Sequence, residues 1–184
     1  MSFGFIKALL SERARQSSIP GANILQIASI YRCSLVTIKN VVEDDPGLLL
    51  TSDGYGHIAL HTAAKHASLE VVQYLVDGIK YLLSDGTHST TAAKLFAEIS
   101  KRTLTSKDNF GELPLHKACR VGNMQVVEYL MTKSMASVKT VNSENELAIH
   151  VLCDSRGKSR QQLRSVEYTD TIFKLLLANP EICQ

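Results

Sequence analysis

Apolar and polar positions along this chain alternate in short helical phases broken by polar turns. Leu69, Val72, Leu75 and Val76 recur at three- and four-residue spacing, which predicts a helix with one apolar face. A shorter phase from about Ala59 to His66 predicts a first helix, and Asp53-Gly54-Tyr55-Gly56 ahead of it reads as a tight turn. The phrase then returns: Gly56–Leu75 is GHIALHTAAKHASLEVVQYL and Gly111–Leu130 is GELPLHKACRVGNMQVVEYL. Every shared residue keeps the offset of 55 that separates Gly56 from Gly111. So short a helix pair is unstable alone. Its repetition predicts a stack in which neighbouring units bury each other's apolar faces.

Two weaker copies flank the strong pair. Asn145–Cys153 reads NELAIHVLC, with His150 34 residues after His116. Asn23–Ser29 reads NILQIAS, with Leu25 35 residues before Leu60 and Gln26 in the histidine slot. The offset of 55 is then one period plus an insertion of about twenty residues. The predicted organisation is a capping segment over 1–18, units over about 19–52, 53–78, 107–140 and 141–184, and an insertion over about 79–106. Phe3, Phe5, Ile6, Leu9 and Leu10 predict an amphipathic capping helix; Glu12 and the short length argue against an organellar targeting peptide. Inside the insertion, Ser84-Asp85-Gly86 breaks the preceding helix, and Ser89-Thr90-Thr91 offers a start for a helix over 92–100. Its stripe of Leu95, Phe96 and Ile99 is expected against the side of the stack, a partner groove being the alternative.

These residues resemble the ankyrin repeat. Asp53, Gly56, Leu60, His61, Ala63, Ala64, Leu69, Glu70, Val71, Val72 and Leu75 match its consensus in one unit. Asp108, Gly111, Pro114, Leu115, His116, Ala118, Gly122, Val126, Val127 and Leu130 match in the next. The resemblance implies an all-α solenoid with short finger turns, here with one inserted helix. It also implies that the imidazoles hydrogen-bond backbone at the fingers and tie units together. Ile58, Leu113 and Leu147 stand where the family carries a capping Thr, and Arg32 and Ala67 where it ends the first helix with Gly. Less regular corners are expected there.

Composition narrows the function. A net charge of +2 gives no global case for nucleic acid or an anionic membrane. No run approaches the ~18 apolar residues a membrane span needs. Cys119 and Cys153 occupy one repeat slot, which reads as small packing residues in a reducing, cytoplasmic setting, with the nucleus open. Arg156, Lys158, Arg160 and Arg164 crowd a second insertion without aromatic residues to stack bases, so nucleic acid is weakly supported.

Candidate chemistry is thin. Gly54-Tyr-Gly56-His-Ile-Ala59 spells a dinucleotide-type turn, but the equivalent Asn109-Phe-Gly111-Glu-Leu-Pro114 loses the first Gly. The residues recurring with the repeat are expected to serve the stack, leaving no nucleotide cofactor. His61, His116 and His150 cannot converge on a metal, because stacked helices stand ~8–10 Å apart while ligands lie ~2.0–2.3 Å from zinc. No nucleophile–base set is assignable, so neither an enzyme nor a small-molecule substrate is expected.

By position, the resemblance implies protein or peptide binding through finger tips and the exposed face of the first helices. The candidates are Tyr55, His57, Lys65, His66, Phe110, Glu112, Lys117, Arg120, Glu144 and Glu146, with Thr62 and Val121 alongside. Tyr55 and Phe110 share a slot and are either anchors for a partner or packing between fingers. The alternative function is a regulatory or docking segment of a larger assembly. Its evidence is the apolar last helix with Ile172, Phe173, Leu175, Leu176 and Leu177, which suggests a continuing array or a docking end.

Overall fold

The computed structural model describes residues 3–78, 99–154 and 165–180. Its elements are α1 (Phe3–Arg15), α2 (Ile24–Ile30), α3 (Leu35–Asp44), α4 (Ala59–His66) and α5 (Leu69–Gln73). After these come α6 (residues 99–105), α7 (Pro114–Val121), α8 (Met124–Lys133), α9 (Met135–Val138), α10 (Ala148–Cys153) and α11 (Val166–Ala178). No strand occurs among the described residues. The expected loop over 154–164 and most of the inserted helix fall outside them.

The stack is two rows deep. The inner row is α2, α4, α7 and α10, each against the next; the outer row is α3, α5, α8 and α11. Ala63, Ala64, Ala118, Cys119 and Ala148 are fully buried on the inner helices. Small side chains there let the inner helices approach closely. Leu25, Ile38, Leu115, Leu130, Leu152 and Leu175 fill the space between the rows, each contributing about 1.5–3 kcal/mol. α1 lies on α2 and α3, burying Leu10 while Phe5 and Leu9 stay exposed. At the described end of the insertion, Thr103 and Leu104 are buried; Ser100 Oγ donates to the Val76 carbonyl and Ser137 Oγ to that of Leu104.

The corners differ as the sequence implies. Arg32, Ala67 and Gly122 share a slot at the exit from the inner helix. Gly122 turns at φ +70° and Arg32 at φ +52°, whereas Ala67 stays extended at φ −88°. The left-handed turn costs a non-glycine residue about 1–2 kcal/mol. Cys153 departs from expectation: it is exposed where Cys119 is buried, since no described inner helix follows α10.

Candidate protein-interaction face

The fingers are built from one acid or amide each. Asp53, Asp108 and Asn142 are buried, and Oδ1 of each accepts two backbone N–H groups across its turn. Gly56, Gly111 and Asn145 close the turns at φ +79°, +69° and +59°. The fingers bond edge to edge: Gly54 N–H donates to Pro20, Asn109 N–H to Tyr55 and Ser143 N–H to Phe110. A Cβ on Gly56 would stand 2.6 Å from Asn109 Oδ1. The next finger thus fills the space where a dinucleotide phosphate would need to approach this glycine.

Histidines replace the missing capping hydroxyls. Nδ1 of His61, His116 and His150 accepts the backbone N–H of Ile58, Leu113 and Leu147 at 3.2, 3.2 and 3.1 Å. An accepting Nδ1 leaves the proton on Nε2. That atom donates to the next finger: His61 to the Glu112 carbonyl at 3.0 Å, His116 to that of Glu146 at 3.2 Å. Burial lowers His61 to about 4 and also lowers His116, so both stay neutral. Gln26 makes the same bridge in the first unit: Oε1 accepts from Asn23 N–H and Nε2 donates to the His57 carbonyl.

A charge cluster lies beneath the second and third units' fingers. The His57 ring spans two carboxylates, with Nδ1 3.2 Å from Asp53 Oδ2 and Nε2 3.3 Å from Asp108 Oδ2. Lys117 Nζ lies 2.6 Å from both Asp108 and Glu112, and Arg120 pairs with the other Glu112 oxygen. Burial pushes the Asp108 and Glu112 carboxyls up. For Asp108 the bonds to His57 and Lys117 and a backbone N–H outweigh burial; for Glu112, Arg120 and Lys117 do so. Both carboxyls are held below the ordinary range.

The sequence-derived candidates divide accordingly. Glu112 and Lys117 are 4% and 9% exposed, so they form a floor, not tips. Thr62 is also buried, its hydroxyl bonded to the Ala59 carbonyl. Glu144 is exposed, and half-buried Glu146 accepts from Asn142 Nδ2. Tyr55 and Phe110 are 41% and 55% exposed, and Lys117 Nζ stands 5.5 Å from the Phe110 ring centroid. A groove of about 340 Å³ brings Phe110, Arg120 and Glu144 together over Glu112 and Lys117. Lys65 and His66 are not part of it; they sit at the far end of α4 with Val121. Sequence reasoning missed Gln26 as a bridge; its signal was its place in the histidine slot.

Stacked helix pairs bound through both rows and through their fingers define a repeat-protein scaffold. The chain carries ankyrin repeats: the ankyrin repeat family model matches residues 55–88 and 110–143. Such repeats are generally protein–protein interaction modules, and the family is typically non-enzymatic. A curated relative, the ANK repeat-containing protein nipk-1 of Caenorhabditis elegans, is 24% identical over 161 residues, 86% of this chain. The chain spans 23% of that relative's length. Among the described residues no helix is long and apolar enough to cross a membrane.

Proposed function

We propose that this chain is a non-enzymatic adaptor that holds a protein or peptide partner against its fingers and inner helices. The observation that carries this is the pair of aromatic rings at the finger tips. Tyr55 and Phe110 share a slot on neighbouring fingers, and both stay substantially exposed. Packing between fingers would have buried them. Aromatic side chains beside a polar groove supply apolar area at small entropic cost, which is what binding hot spots use. Arg120 and Glu144 at the groove favour a partner surface of mixed charge.

A second reading has its own observation. Phe173 and Leu177 lie one turn apart on α11 and are 61% and 65% exposed, which supports docking into a larger assembly. Affinity capture from the source cell, quantified by mass spectrometry, tests both. Tyr55→Ala with Phe110→Ala is expected to abolish capture while circular dichroism stays unchanged. A Phe173→Ser, Leu177→Ser chain is expected to capture normally. Loss only in the α11 variant would overturn the finger reading.

A further inference from the structure

The corners between inner and outer helices enclose a second cavity, of about 430 Å³, shared by three units. Arg32 and Cys33 come from the first unit, Lys65 and His66 from the second, and Gly122 from the third. Three basic side chains therefore line one hollow. Among the described residues, none of Arg32, Lys65 and His66 makes an ion pair or a side-chain hydrogen bond. Among the described residues no carboxylate lines the cavity.

The repeat explains why they are unpaired. Arg120 occupies the Lys65 slot one unit on, and there it is drawn down to Glu112. The Glu112 slot in the second unit holds His57, which is taken by Asp53 and Asp108. Lys65 thus has no acid beneath it. The corner backbone adds an independent sign. Arg32 takes a left-handed turn at φ +52° in the slot where Gly122 serves the third unit. A glycine would make that turn without strain. The turn belongs to the corner, but the first unit keeps a charged residue there at a backbone cost that glycine would not carry.

We infer that the corner cavity formed by Arg32, Lys65 and His66 takes the carboxylates of an acidic segment in a protein partner. This rests on the chain being a protein-binding module but not on the finger face. Two standing cations, Arg32 and Lys65, with an imidazole that can become a third, match one or two side-chain carboxylates. A nucleic-acid strand would need a longer basic track with aromatic stacking. Burial and the neighbouring Lys65 and Arg32 lower His66 below its ordinary value. The half-buried Cys33 thiol, raised by burial, is the other titratable group lining the cavity. A bound carboxylate favours the charged imidazolium, so binding strengthens as pH falls.

The test uses the full chain and a fluorescein-labelled oligoglutamate peptide, read by anisotropy, with labelled oligothymidylate in parallel. Wild type is expected to bind the peptide with salt-dependent affinity that rises from neutral toward about pH 5.5. His66→Asn is expected to lose that rise. Arg32→Gly should weaken binding roughly fivefold, as loss of one part-exposed ion pair does, while raising the melting temperature by roughly 2–4 °C. Weaker binding by a more stable protein cannot come from misfolding. The Tyr55→Ala, Phe110→Ala chain should bind the peptide as wild type does, so failure of the finger reading leaves this result standing. Unchanged affinity in both Arg32→Gly and Lys65→Ala, no peptide binding, or binding of the oligonucleotide alone would each overturn the inference.

Discussion

The second and third units place different charges in the same slots, and the result is one sealed network and one open corner. In the third unit Glu112 lies under Lys117 and Arg120, and all three are satisfied within the chain. In the second unit those slots hold His57, Thr62 and Lys65. His57 turns to two aspartates, Thr62 to backbone, and Lys65 is left without a partner among the described residues. A charge on an ankyrin-type helix therefore cannot be assigned to structure or to binding by its slot. What decides is whether an acid occupies the Glu112 slot, five to eight residues earlier.

The largest expected effect comes from opening the sealed side. Asp108 accepts Phe110 and Glu112 N–H and stands between His57 and Lys117. Asp108→Ala leaves Lys117 with a single acid and two backbone donors without an acceptor. It is expected to cost about 3–5 kcal/mol in urea unfolding. Asp108→Asn keeps the backbone bonds, as Asn142 does in the fourth unit, and should cost about 1–2 kcal/mol. Equal losses would show that the charge network, not the turn, carries the effect.

Next in size is the ladder that joins the units whatever their charges. His61→Ala orphans the Ile58 N–H and the Glu112 carbonyl and is expected to cost about 2–4 kcal/mol. His61→Gln should recover most of that, because Gln26 spans the same two groups in the first unit. The pH dependence has a fixed sign. The folded His61 titrates at about 4, below the ~6.5 of an unfolded histidine. Its contribution is complete above pH ~6.5 and is lost as pH falls toward about 4. That amounts to about 3 kcal/mol, and unfolding titrations of His61→Gln should lack it. Asp108 and Glu112 lose their contributions only below the ordinary carboxylate range.

A transplant sharpens the comparison further. His57→Glu sets a third carboxylate near Asp53 and Asp108 without a lysine to meet it, at an expected ~2 kcal/mol. Adding Thr62→Lys rebuilds the third unit's arrangement and should recover at least ~1 kcal/mol as a coupling energy in a double-mutant cycle. Purely additive losses would mean that neighbouring units differ in backbone, not only in charge.

The stack itself was readable from the chain because its determinants are local. Apolar spacing, the Gly56 and Gly111 turns and the histidine slot each report within a few residues. The site was readable only in part. Glu112 and Lys117 look like surface charges in sequence, and burial follows from a partner, Asp108, whose reach depends on how fingers stack. The opposite holds for Lys65: its freedom follows from His57 holding the acid slot of its own finger and turning to Asp53 and Asp108. Arg32 shows only a missing glycine in sequence; its left-handed backbone becomes visible once the corner is built.

The smallest expected effect is the most telling about the open side. Lys65→Met removes a charge from an exposed position with no ion pair to break, so stability should change by less than about 0.5 kcal/mol. Lys117→Met, the same change on the next inner helix, strips Asp108 and Glu112 of their shared cation and Phe110 of the cation above its ring. About 2–3 kcal/mol is expected there. The two variants keep similar side-chain length and helix propensity, so the gap between their unfolding free energies measures the pairing alone. A comparable loss at Lys65 would mean that its charge is already held within the chain, and the corner would then have no free cation to offer a partner.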